Sequence, residues 1–318
     1  MREKLCPHCG QPLMKGFPFC YECCRFTYDD PTDADLRRLV ELSQEGRQDL
    51  KGTPRDILSK TMAVLGVVGL GVGIYLLYNA DTWWMLGILY GSLALLLSAG
   101  WVAPRHPIVL EDKDYKAIGA NCIAPGELKA LLGEDIRYDP EAMLPSELVR
   151  QAQVYVRDYQ TYQGGQLAAF RYRGIPVEMG YVHLTDRALR SYNDIELFEG
   201  FCLMADTGRP FPKELRVIQN YLGWLHMPEE PTPESYGSLF HEKGENFLTP
   251  DRRRALVEII REGPGEIGLW LRPDGKIFVA SNGLWPICRE TRPPEQWRKE
   301  YRRALSQPLR VLDLFLNT

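Results

Sequence analysis

The chain has 318 residues, 45% hydrophobic and 25% charged, with a net charge of −4 and a pI near 5.9. That length exceeds one small domain, and the composition is that of a folded globular chain rather than a disordered or fibrous one. The acidic balance argues against a dedicated nucleic-acid binder, which carries a basic surface.

The first residues, Met1 to Leu5, include Arg2, Glu3 and Lys4. They offer no apolar run and no small-residue cleavage site, so no signal peptide is expected and the N-terminus is expected to stay in the cytoplasm. Five of the eight cysteines then fall between positions 6 and 24. Cys122, Cys202 and Cys288 stand alone and read as reduced, buried thiols rather than a disulfide framework.

Cys6-Pro-His-Cys9 and Cys20-Tyr-Glu-Cys23 form two C-x-x-C knuckles. Each turns the chain tightly enough to aim two thiolates at one centre, and four sulfurs complete a tetrahedron around Zn2+. So short a segment buries little core, so the metal supplies folding energy. The run resembles bacterial zinc ribbons, which read C-P-x-C-G and then F-C-x-x-C. Cys24 departs from that pattern by standing where glycine is usual, so Cys24 and His8 remain alternative ligands at this point. The ribbon's charges form no basic stripe, which favours protein contact or a structural role over nucleic acid.

Residues 31–52 read as a charged surface helix, with Asp33 and Asp35 in its first turn and Leu36, Leu39, Val40 and Leu42 on a modest apolar side. Residues 61–78 and 82–103 are charge-free, and Asp81 is the single charge between 61 and 103. Eighteen helical residues reach roughly 27 Å, close to the thickness of a bilayer core. The expectation is a two-helix transmembrane hairpin turning at Asn79-Ala80-Asp81, with Trp83, Trp84 and Trp101 at the interfaces. Arg47, Lys51, Arg55 and Lys60 before it, and Arg105, Lys113 and Lys116 after it, predict a multi-pass protein of the cell membrane with both termini cytoplasmic. Gly69/Gly73 and Gly87/Gly91 permit close helix approach, within the hairpin or in a homodimer.

From 104 onward strands and helices imply an α+β domain. Residues 126–132 and 145–162 predict helices, the latter with Pro145 at its start and Leu148, Val149, Ala152, Tyr155, Val156 and Tyr159 on one face. Residues 166–172 and 176–184 predict a hairpin, followed by strands at 195–204 and 215–218 and a proline-rich loop at 228–233. Thr249-Pro250-Asp251 is a helix start and Gly263 its end. Strands at 266–271 and 276–281 flank the turn Arg272-Pro273-Asp274-Gly275, and 293–317 closes as a helix. The expected organisation is a ribbon (1–28), a linker helix (29–60), the hairpin (61–103) and a cytoplasmic α+β domain (104–318).

Tyr162-Gln163-Gly164-Gly165, Phe170-Arg171-Tyr172-Arg173-Gly174, Phe247-Leu248-Thr249-Pro250 and Lys276-Ile277-Phe278-Val279-Ala280 resemble the bacterial domain-of-unknown-function 3137 family over residues 130–305. The resemblance implies a transmembrane hairpin before an α+β cytoplasmic domain, and it carries over no activity and no catalytic residues.

Site signals in this domain are sparse. His183, Asp186 and Glu178 lie close in sequence, and His183 with Asp186 would make an acid/base pair for a membrane-bound hydrolase. A strand end followed by a cap explains the same residues structurally. Cys202 has no base at a known spacing, and His241-Glu242 lacks the second histidine of H-E-x-x-H because Glu245 stands there. No catalytic residue and no cofactor-binding residue is assigned. The metal ligands expected are Cys6, Cys9, Cys20 and Cys23, and the partners are a lipid bilayer and other proteins rather than nucleic acid. The function expected is a membrane-tethered interaction or scaffold protein, with the hydrolase or a ligand or nucleic-acid sensor as alternatives.

Overall fold

The computed structural model describes residues 4–13, 17–50, 54–79, 84–102, 109–154, 159–187, 194–219, 235–283 and 287–316. The chain divides into two compact units, one of residues 1–33 with 112–318 and one of residues 34–111.

The larger unit is built on an antiparallel sheet. Its strands are β3 (Ile136–Asp139), β4 (Thr161–Tyr172), β5 (Ile175–Arg187), β6 (Asp194–Asp206), β7 (Leu215–Gln219), β8 (Phe240–Gly244), β9 (Ile267–Leu271) and β10 (Lys276–Asn282). Their spatial order is β3-β4-β5-β6-β10-β9-β7-β8, so the β9–β10 hairpin sits between β6 and β7. Alternation along β5 and β6 decides what each sheet face buries. Val182, Leu184, Phe198 and Cys202 pack with Phe278, Ala280 and Trp270 against Val149 and Ala152 of α6 (Ser146–Ala152). The opposite face, with Phe201, lies under α9 (Pro294–Leu316), whose Tyr301 ring stands 6.3 Å from that of Phe201. Trp297, Tyr301, Leu305 and Leu312 of α9 are buried.

Local chemistry explains several boundaries. Thr249 Oγ1 accepts from the Arg252 N–H at the start of α8 (Pro250–Glu262). Gly275 takes φ +85 in the β9–β10 turn, a conformation that favours glycine. The helix expected over 145–162 is shorter: after Ala152 the chain leaves the helix with Gln153 at φ +47, and Tyr159 stands next to β4. Residues 155–158 and the proline-rich loop at 228–233 lie outside the described residues. Residues 112–132 run as one helical stretch, α4 (Asp112–Ile118) and α5 (Ala124–Leu132), joined by a π-helical turn at Gly119–Ile123.

The smaller unit holds most of α1 (Asp33–Leu50), then α2 (Pro54–Asn79) and α3 (Trp84–Val102). In α1, Leu36, Leu39 and Val40 are buried, and Ser43 Oγ accepts from the Leu110 N–H at 2.9 Å. Helices α2 and α3 pack closely. A Cβ on Gly66 would stand 2.6 Å from Leu96 Cγ, and one on Gly69 2.2 Å from Ser92 Oγ, which is why small residues occupy these positions. Val64, Leu65, Val67 and Val68 of α2 and Tyr90, Leu93 and Leu97 of α3 are exposed.

The expected transmembrane hairpin requires correction. Among the described residues no helix is long and apolar enough to cross a membrane. The expectation rested on missing charge, which is a weaker criterion than sustained apolar length within one helix. The 26 residues of α2 begin at Pro54 and take in Arg55, Asp56 and Lys60 beside the glycine-interrupted apolar run. The multi-pass placement in a cell membrane with cytoplasmic termini rested on those spans and is not supported either. Lys51, Ala80 and Asp81 of the expected turn, Trp83 and Arg105 lie outside the described residues, and so do the side chains of Trp84 and Trp101.

Candidate metal centre

The N-terminal knuckles are built by backbone hydrogen bonds. The Cys6 N–H donates to Gln11 O at 2.7 Å and the Gly10 N–H to Cys6 O at 2.9 Å, with Gly10 at φ +75 closing the first turn. Strand β1 (Phe19–Cys20) pairs with β2 (Arg25–Phe26) and carries the second knuckle between them. Phe19 and Phe26 are buried edge to face, 5.2 Å apart, and form the small apolar centre beneath the cysteines.

The sulfurs of Cys6, Cys9, Cys20 and Cys23 all lie within 4.8 Å of one another. Cys6 Sγ is 3.7 Å from Cys23 Sγ, and Cys9 Sγ is 3.5 Å from Cys20 Sγ. A tetrahedron with bonds of about 2.3 Å has edges of about 3.8 Å, so the set fits a thiolate-bound metal ion. None of the eight cysteines is in a disulfide. Burial raises the Cys6 thiol, but hydrogen bonds from the backbone N–H groups of Cys9 and His8 outweigh it and bring it down to about 6. Burial and the neighbouring thiols push Cys23 up, and burial and Cys9 push Cys20 up. Four thiolates this close repel one another, and a central cation supplies the compensating charge. Four protein sulfurs leave no open coordination position, which is the arrangement of a structural site rather than a catalytic one.

The alternative ligands are engaged elsewhere. His8 Nε2 donates to Phe26 O at 2.9 Å. Cys24 adopts φ +50, a left-handed conformation that favours glycine, and its thiol turns to Tyr21 O at 3.6 Å and Asp114 Oδ1 at 3.9 Å. Burial, with Asp114 beside it, pushes the Cys24 thiol up to about 12, so it stays protonated.

The second knuckle is seated on the π-helical turn. Asn121 Nδ2 donates to Cys23 O at 3.1 Å, Arg25 Nη2 donates to Asn121 Oδ1 at 3.2 Å, and Cys122 Sγ donates to Cys24 O at 3.3 Å. Beyond the ribbon, Arg298 of α9 donates from Nε to Asp33 at 2.7 Å and also hydrogen-bonds the Pro31 carbonyl. Asn121, Asp114 and Arg298 carry no local sequence signal, because each acts on a segment about eighty or more positions away in the chain.

The residues proposed for acid/base chemistry are not brought together. His183 and Asp186 are three apart on β5, which sends their side chains to opposite faces of the sheet. Glu178 lies five residues from His183 on the same strand and opens onto a groove of about 970 Å³ with Arg137 and Lys276. His183 faces Glu196 and Glu199 of β6 instead. Cys202 is fully buried in the apolar core, and Glu242 neighbours His241 on β8 while Glu245 pairs with Lys213.

No family model, curated protein or solved structure matches this chain.

Proposed function

We propose that this chain is a non-enzymatic interaction or scaffold protein in which a zinc-bound ribbon braces the sheet unit. The observation that carries the reading is the seat of the second knuckle: the backbone carbonyls of Cys23 and Cys24 accept hydrogen bonds from Asn121 and Cys122 of the π-helical turn. A ribbon used as a free nucleic-acid or peptide finger needs that edge exposed. Here it is engaged by the chain's own fold, and the metal ordering the knuckle also orders its contact with the sheet unit. The four-sulfur set, with sulfur separations that suit zinc, supports that metal over hard cations that prefer oxygen. Membership of the domain-of-unknown-function 3137 family is part of the proposal and adds no activity to it.

Affinity purification of the tagged full-length chain with its metal bound tests the reading. The expected result is specific co-purifying proteins that are lost from Cys9→Ser together with the zinc. Recovery of the chain alone, or a sheet unit whose thermal midpoint is the same with and without zinc, overturns it.

A further inference from the structure

A second group of ligating side chains stands on the sheet, away from the ribbon's cysteines. His183 on β5 is directly opposite Glu199 on β6, and Thr185 is opposite Glu196. The register shifts between those two pairs, so Leu197 is an extra residue on β6. In a regular strand Glu196 and Glu199, three apart, would point to opposite faces. The bulge restores Glu196 to the face that His183 and Glu199 share, and re-aiming a side chain in this way is a common use of bulges near functional sites.

We propose that His183, Glu196 and Glu199 form a metal site that takes a divalent transition-metal ion through one imidazole nitrogen and two carboxylate oxygens. One ligand atom from each lies within 4.8 Å of the other two. His183 Nε2 is 3.6 Å from Glu196 Oε2. That separation is too long for a hydrogen bond and near the edge of about 3.3 Å for a tetrahedron with bonds of about 2.0 Å. His183 Nε2 is also buried with no hydrogen-bond partner among the described residues. A buried polar atom left unpaired carries a desolvation penalty that a metal bond removes.

The carboxylates point the same way. Glu199 is buried, its side chain only 4% exposed, yet it faces the second carboxylate of Glu196. Lys116 Nζ at 2.8 Å and Tyr181 Oη at 2.5 Å hydrogen-bond Glu199, and both land on the same oxygen, Oε1. Among the described residues the two carboxylates and the imidazole share the charge of Lys116, which is 41% exposed. The imidazole favours zinc and its neighbours in the transition series over magnesium or calcium, which take oxygen sets. Three protein ligands leave a coordination position for water or a small anion.

The test is a zinc titration of the full-length chain with its ribbon metal already bound, read as heat of binding and as metal content after desalting. Wild type takes up one ion beyond the ribbon's. His183→Ala and Glu196→Gln each weaken that second uptake by at least about tenfold, while the ribbon ion remains. Glu196 is 60% exposed, so Glu196→Gln leaves the fold intact and keeps the test decisive. A wild-type chain that takes no second ion, or a Glu196→Gln chain that takes it as well as wild type, overturns the proposal.

Discussion

Asn121 reaches from the π-helical turn to the backbone of Cys23, donating from Nδ2 to its carbonyl at 3.1 Å, and its own Oδ1 receives Arg25. One side chain therefore serves the second knuckle twice. Asn121→Ala is expected to lower the stability of the folded chain by about 1–3 kcal/mol, the range for a part-buried hydrogen bond lost with its partner left unpaired. Metal content should not change, because no ligand is removed. Thermal unfolding and metal analysis of the same preparation check both halves.

Purified protein is expected to hold one zinc in the ribbon, and Cys9→Ser to lose it. Cys24→Ser is expected to keep it, since the Cys24 thiol points to Tyr21 and Asp114 rather than to the other sulfurs. Loss of the ribbon zinc from Cys24→Ser would move the ligand set. Chelation should lower the thermal midpoint of the sheet unit as well as unfold the ribbon, because the knuckle and the π-helical turn share hydrogen bonds.

Glu266 precedes β9, and burial raises its carboxyl above the ordinary value, with a hydrogen bond to Asn282 only partly offsetting it. For a carboxyl raised in the folded state the sign is the reverse of the usual acid case. Its burial costs stability at neutral pH, and that cost is relieved as pH falls through the raised folded value towards the unfolded one. Glu266→Gln is therefore expected to raise the thermal midpoint at pH 7, to do so progressively less as pH falls through the raised folded value, and to have no such effect below the ordinary carboxylate range. Midpoints across a pH series for both proteins test this, and an equal effect at every pH would argue against it.

His183 and Asp186 point to opposite faces of β5. Their alanine substitutions are expected to add in a double-mutant cycle to within about 0.5 kcal/mol, as for residues that share no partner. A coupling well above that would mean the two side chains meet. Asp186→Ala alone should not abolish a cellular function while leaving abundance unchanged.

Removing the cap of α8 gives a simpler check. Thr249→Ala is expected to cost about 1 kcal/mol, because the Arg252 N–H loses its acceptor. Thr249→Ser, which keeps the oxygen, should cost less, and denaturant unfolding of the two variants compares them.

What could be read in advance followed how local each signal is. The cysteine knuckles, the Thr249 cap and the turn at Gly275 are set by neighbours within a few residues, and the structure has the elements they announce. The apolar spacing after Pro145 continued past the real helix end because it does not register that Gln153 adopts a left-handed conformation. Strand β8 has the sequence Phe-His-Glu-Lys-Gly, almost wholly polar, as suits an edge strand, and so carried no alternation to find. The charge-free runs at 61–78 and 82–103 overstated the case for a membrane hairpin, since glycine and serine break no charge rule yet serve helix packing. At the second cluster His183 was visible as a candidate, but its partners were not. A strand pairing and a one-residue bulge bring Glu196 and Glu199 to it, and neither has a signature in the bare sequence.

The position of β9 and β10 has a consequence for how the chain is made. A ribosome releases the knuckles before the sheet, and they can capture metal while the sheet is still being synthesised. Their seat at Asn121 and Cys122 follows about a hundred residues later. The sheet, however, cannot close until the β9–β10 hairpin enters between β6 and β7. Arg298, which ties down Pro31 and Asp33, is later still. Between the synthesis of Gln219 and that of Asn282, β6 and β7 are therefore open edges awaiting a hairpin, and an unpaired edge accepts any strand it meets. Nascent chains halted before residue 276 should be the ones that aggregate or recruit chaperones, and chains released after α9 should not.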